Sequence, residues 1–256
     1  MQTSLVLTVA ESKRLIAQGV LAHPLVRQAL AEGTVALCRG TTNSYLAEAL
    51  LGRPIDKLAF VTGRTTPSRG APERPAPIRL LPEVILRRGK PQEGVSLVDA
   101  LETMGPGDVV IKGANALDPS RTVAGVLIGD PTGGTVGKIL GRVTARKMAL
   151  VIPVGLEKLV TTDLYLAQRL IAQEPSPGVP ALWPITGHII TEIEALELLA
   201  GVSVAQIGAG GIFGAEGSVR LLVSGEEAEV GKARTIVEEI DEPPFPLEPN
   251  QGGSNA

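Results

Sequence analysis

Cysteine occurs once and histidine twice in the 256 residues. One thiol excludes a disulfide framework and a cysteine-based zinc site, and two imidazoles leave too few ligands for a histidine metal cage. Aromatic residues make up 2% of the chain, which leaves few platforms for base stacking. No apolar run approaches the roughly 20 residues of a membrane span, and the first residues, Met-Gln-Thr-Ser-Leu-Val, lack the basic start of a signal peptide. The 24 Lys and Arg nearly balance 27 Asp and Glu, so bulk charge gives no footprint for nucleic acid. These absences predict a cytoplasmic protein without metal, membrane or nucleic-acid partner, and no motif implies a cofactor.

What is present is a core-forming chain, 44% hydrophobic, with 30 glycines and 20 prolines for tight loops. Residues 10–33 read as a helical hairpin. Leu15, Ile16, Val20 and Leu21 recur at helical spacing, Pro24 opens the second helix and Gly33 closes it. Residues 34–38 form a short apolar run of the kind buried in a parallel sheet, and a helix follows over 45–51, ended by Gly52. Further strands are expected at 58–62, 81–86, 108–112, 122–128 and 148–152. Helices are expected from Ser96 to Met104, from the 129–134 loop to about Lys147, and over 162–173.

This alternation predicts an α/β fold: an open, mostly parallel Rossmann-like sheet with helices on both faces, occupying 1–174. The stretch 175–180 is Pro-rich and reads as a linker. Beyond it, strands at 181–185, 202–207 and 217–223 and helices at 192–199 and 226–240 follow the order β-α-β-β-α. That order predicts a small α+β ferredoxin-like module over 181–242, with 243–256 as a flexible tail.

Three features carry chemistry. Gly40, Thr41, Thr42, Asn43 and Ser44 join a buried strand to a helix start, where free N–H groups, hydroxyls and the helix dipole suit phosphate or carboxylate. The alternative is that Thr42 or Asn43 simply caps the helix. Thr132, Gly133 and Gly134 lie in a second glycine-rich loop that begins at Gly129 and Asp130; it lacks the Gly-Lys-Ser/Thr ending of a Walker loop. In a doubly wound sheet these loops and Lys112, Gly113, Ala114 and Asn115 would converge on one crevice. Between 62 and 90, seven basic residues (Arg64, Arg69, Arg74, Arg79, Arg87, Arg88, Lys90) face only Glu73 and Glu83, and Arg64 is the best placed to hold an anion. The glycines from Gly208 to Gly217 sit between two strands, so they make a wide hairpin, a flap or an oligomer contact rather than a dinucleotide fingerprint. His188 has no second ligand near it in sequence and reads as a surface or interface residue, His23 as a neighbour of a helix cap, and Cys38 as an inert core thiol.

The first 160 or so residues resemble ribose-5-phosphate isomerase type A and its superfamily, which includes glucosamine-6-phosphate deaminases, DeoR-type effector domains and coenzyme A transferases. Where the isomerases carry Gly-Thr-Gly-Ser-Thr this chain has Gly40-Thr41-Thr42-Asn43-Ser44. Where they carry Asp-Gly-Ala-Asp-Glu-Val-Asp it has Lys112-Gly113-Ala114-Asn115-Ala116-Leu117-Asp118. A glycine-rich loop at Thr132-Gly133-Gly134 and Lys158-Leu159-Val160 complete the frame. The resemblance implies the superfamily fold and an anion pocket. It does not imply the isomerase reaction, because Lys112, Asn115 and Ala116 replace acidic residues that move the sugar's protons.

The expected function is therefore binding of a phosphorylated or carboxylated small molecule by Gly40, Thr41, Thr42, Asn43, Ser44, Arg64, Gly113, Asn115, Thr132, Gly133 and Gly134. One alternative is an enzyme acting on a phosphosugar-like or coenzyme A-linked substrate, with Lys112 or Asp130 as acid or base. Another is a component of a homo-oligomeric assembly.

Overall fold

The computed structural model describes residues 1–66, 68, 79–174 and 176–245. Arg69 and Arg74, Pro175 of the expected linker and residues 246–256 of the expected tail lie outside them.

The central element is a six-stranded sheet. Its strands are β2 (Thr34–Leu37), β3 (Val84–Arg87), β4 (Lys90–Pro91), β5 (Val109–Ile111), β8 (Ala149–Pro153) and β10 (His188–Ile190). They lie in the order β10-β8-β5-β2-β3-β4. The first three pairings are parallel, and the two that involve β3 are antiparallel. Every residue of β2 and β5 is buried, as expected for interior strands rich in Val, Ile and Leu. A mixed α/β fold with a mostly parallel sheet is thus present.

The helices follow local chemistry. In α1 (Val9–Ala22), Thr8 and Glu11 form a reciprocal capping box. Pro24 occupies the first turn of α2 (Pro24–Glu32), where its missing N–H costs nothing. Gly52 takes the left-handed conformation that ends α3 (Thr41–Leu51). Ser96 caps α4 (Leu97–Thr103) through the Asp99 N–H, and α5 (Gly134–Ala145) leads into β8. Helix α1 packs against α3 and against α7 (Glu192–Ala200). Gly19 permits the second contact: a Cβ there would lie 2.5 Å from the Ala195 Cβ.

Two expectations are corrected. The strand expected at 58–62 is absent: residues 58–61 are buried, but 57–60 form turns, and 61 and 62 pair with no strand among the described residues. The Asp56 carboxylate accepts from the Leu58 and Ala59 N–H groups, and such side-chain capture competes with a strand ladder. The strands of 181–242 do not close into a ferredoxin-like sheet of their own. β9 (Ala181–Ile185) pairs with β7 (Ala124–Ile128), which in turn pairs with β6 (Ala116–Leu117). β10 joins the central sheet, where Gly187 allows close approach; a Cβ at Gly187 would stand 2.5 Å from the Leu150 carbonyl oxygen. β11 (Ser203–Ala209) and β12 (Val219–Ser224) stay together, with β1 (Gln2–Leu7) completing the sheet on β12. β1 buries Leu5 and Leu7 on one face, and α8 (Glu227–Glu238) packs against β1 and β12. One continuous apolar core runs from Leu5 to Ile240. The last described residues are held as well: Glu242 accepts from Arg14 Nε at 2.7 Å, and Phe245 lies against Tyr45.

Candidate functional site

β2, β5, β8 and β10 run the same way, so their carboxyl ends share one edge. Chain order reverses at β2: β3 and β4 are added on one side, β5, β8 and β10 on the other. The carboxyl edge at such a reversal is where open α/β sheets leave a crevice. From this edge β2 runs into Gly40 and the start of α3, β5 into Lys112 and Gly113, β8 into Gly155 and a 3-10 turn Leu156–Lys158, and β10 into Thr191 and α7.

The expected loop 40–44 is corrected: only residues 38–40 form a loop, and Thr41 to Ser44 are the first turn of α3, which carries buried polar groups. Asn43 is 1% exposed, and its Nδ2 donates to the carbonyl of Cys38 at 2.7 Å and of Ile111 at 3.4 Å, pinning the ends of β2 and β5. Its Oδ1 and the Thr42 Oγ1 are buried without a partner. Ser44 donates to the Thr41 carbonyl at 2.7 Å, and no side chain caps the N-terminus of α3. Of the two readings open for Thr42 and Asn43, simple capping is therefore absent. Cys38 is fully buried, which pushes its thiol up to about 12.

Beside this loop stand two lysines in similar settings. Lys112 Nζ donates to the Gly113 carbonyl at 2.8 Å, and Lys158 Nζ to the adjoining Ala114 carbonyl at 2.9 Å. Neither forms an ion pair among the described residues, whereas Lys13 lies 3.5 Å from Glu157. Burial lowers the pKa of both Lys112 and Lys158. Lys158 also feels Glu157 and Glu192, which favour its charge, and Lys13 and Lys112, which oppose it.

Glu192, the first residue of α7, is completely buried and accepts from the Leu156 N–H at 2.9 Å. Burial, then the neighbouring Glu157, raises its carboxyl to about 7. One oxygen each of Glu157 and Glu192 is buried without a partner. Three lysines, two carboxyls and the unpartnered oxygens of Thr42 and Asn43 thus lie along one strand edge. Lys112, Lys158 and Glu192 among them are perturbed by burial, and perturbed titratable groups gathered in this way are a physical mark of a functional site.

Other expected residues have local duties. Asn115 accepts from the Leu127 N–H at 3.0 Å and fixes β7. Arg64 donates to the carbonyls of Leu58 and Val61. The Asp130 carboxylate takes the Thr132 hydroxyl at 2.5 Å and the Thr132 and Gly134 N–H groups, which hold its pKa low. Gly133 and Gly134 have positive φ there. This loop, Gln168 and Trp183 line a cavity of about 470 Å³, and none of the strand-edge residues lines it. His23 and His188, far apart in sequence, bring their rings within 5.3 Å.

Lys13, Glu157 and Glu192 escaped the sequence reading. Lys13 carried a usable signal, since it interrupts the apolar face of α1 between Ala10 and Ala17. Glu192 carried none, because a glutamate at a helix start is ordinary.

No protein-family model, no curated protein and no solved structure matches this chain.

Proposed function

We propose that the protein binds a phosphorylated or carboxylated small molecule at the carboxyl edge of β2, β5 and β8. The observation that supports this most directly is the pair Lys112 and Lys158, anchored on consecutive carbonyls without an ion-pair partner among the described residues. An anion held by Lys112 restores the charge that burial disfavours there, and α3 offers uncapped N–H groups on the same edge. The buried acceptor Asn43 Oδ1 and the hydroxyl of Thr42 suit a ligand that also carries hydroxyl groups. Ribose-5-phosphate isomerase activity is not part of the proposal: Ala116 cannot carry a proton and the Asn115 amide is committed to β7. Turnover of ribose 5-phosphate is expected below roughly 1 per second.

The test is thermal unfolding with sugar phosphates, nucleotides, coenzyme A, inorganic phosphate and small carboxylates. At 100 times its Kd a ligand stabilises by about 2.7 kcal/mol, a rise of roughly 5–10 °C for a chain of this size. Lys112→Met is expected to remove most of that rise. A rise of the same size in Lys112→Met refutes the site.

A separate observation favours self-association. β11 is an edge strand without a charged residue, Ile207 is half exposed on it, and Phe213 at the hairpin tip is 96% exposed. A homo-oligomer held through this hairpin is expected to dissociate in Phe213→Ser, read by sedimentation. An unchanged oligomer, or a monomer in the parent chain, removes this reading.

A further inference from the structure

We propose that Lys158 is a nucleophile that condenses with the carbonyl group of an anionic substrate, a 2-oxo acid or a phosphorylated aldehyde or ketone. The inference rests on the anion site above and adds to it a covalent step.

A lysine attacks a carbonyl only as the free amine, and proteins obtain that form by removing water from the ammonium and placing other cations beside it. Lys158 has both conditions. Its Nζ is held by one neutral acceptor, the Ala114 carbonyl, and it is only partly accessible. Lys13 and Lys112 face it as like charges. The two carboxyls that oppose them are unevenly available: Glu157 is drawn to Lys13 at 3.5 Å, and Glu192 is buried and holds its proton up to about neutral pH. Lys112, anchored on the next carbonyl of the same turn, is placed to hold the substrate's anionic group while Lys158 meets its carbonyl.

The step balances without a redox partner. The lone pair of Lys158 Nζ forms a bond to the carbonyl carbon, and the π pair moves to oxygen. That oxygen takes up the proton shed by nitrogen to give a carbinolamine. The nitrogen lone pair then forms C=N as the C–O bond breaks, and the hydroxyl departs as water with a second proton. Glu192, a protonated carboxyl on the same edge, is the internal source of that proton, relayed to the leaving oxygen.

The experiment is reductive trapping. The full chain is incubated with pyruvate or with glyceraldehyde 3-phosphate and sodium cyanoborohydride, and the products are weighed intact and mapped by peptide mass. The expected result is one saturable adduct per chain on Lys158 with at least one of the two probes, absent in Lys158→Arg and absent with lactate in place of pyruvate. Trapping by pyruvate identifies a carboxylate-bearing substrate, and trapping by the triose phosphate alone a phosphorylated one. An adduct on Lys112, or labelling spread over surface lysines and unchanged in Lys158→Arg, overturns the assignment. Protein that gains thermal stability from phosphate or pyruvate but forms no adduct refutes the covalent step and leaves the anion site standing. Protein that neither gains stability nor forms an adduct refutes both.

Discussion

Glu192→Gln will stabilise the protein at pH 8 by about 3 kcal/mol and leave it unchanged at pH 4.5. The Glu192 carboxyl is raised to about 7 by burial and by Glu157, whereas in the unfolded chain it titrates near 4.5. Below pH 4.5 both states hold the proton, and the group favours neither mutation nor parent. Between pH 4.5 and 7 the unfolded chain releases the proton first, so the native state loses roughly 1.4 kcal/mol per pH unit. Above pH 7 the full penalty applies. Glutamine keeps an acceptor for the Leu156 N–H, and it does not ionise. The readout is the melting temperature of both proteins across this range, with a gap of roughly 5–10 °C expected at pH 8. A variant that melts lower than the parent at pH 8 would show that Glu192 is ionised and paired in the native protein.

Asn43→Ala is expected to cost about 3 kcal/mol in urea unfolding, whereas Thr42→Val is expected to change stability by less than about 1 kcal/mol. The two residues are neighbours, both almost wholly buried. Their bonding separates them. Asn43 Nδ2 serves the Cys38 carbonyl at 2.7 Å, and its removal orphans a buried acceptor at the junction of β2 and β5. Thr42 Oγ1 has no partner to lose, and valine has the same shape. Equal losses in the two variants would mean that the Thr42 hydroxyl is also bonded in solution. The contrast matters for the site, because a ligand that engages the Thr42 hydroxyl makes Thr42→Val weaken binding while the fold is untouched.

The same pair shows how far the sequence could be read. Gly40 to Ser44 read as a loop between strand and helix; in the structure only residues 38–40 join β2 to α3, and Thr41 to Ser44 already form the first turn of the helix. Which member pins the sheet and which stays unpartnered depends on Ile111, far along the chain, and no local pattern encodes it. Lys112 was legible as a strand-end residue, but its likeness to Lys158 arises only because β5 and β8 are neighbours. Helix ends were legible where the signal is local: Pro24, Ser96 and Gly52 act within one turn. The short strands were less so. β6 and β10 are two and three residues long, too short for a period to show, and β10 is a strand because β8 accepts it. The β-α-β-β-α order after 181 missed β10, which follows β9 directly, and was wrong as a unit, since pairing partners lie at β7, β8 and β1.

Among the described residues β1 pairs only with β12, which lies more than two hundred residues further on. A ribosome adds roughly 5–20 residues per second, so β1 waits on the order of 10–40 s for the strand that covers it. During that interval Leu5 and Leu7 have no face to bury against α8, and both edges of β1 are open to other chains. Closing so long a loop also makes this pairing one of the slower steps of refolding. Yield in a cell should therefore depend on what shields β1 before β12 is made, more than on the stability of the finished sheet.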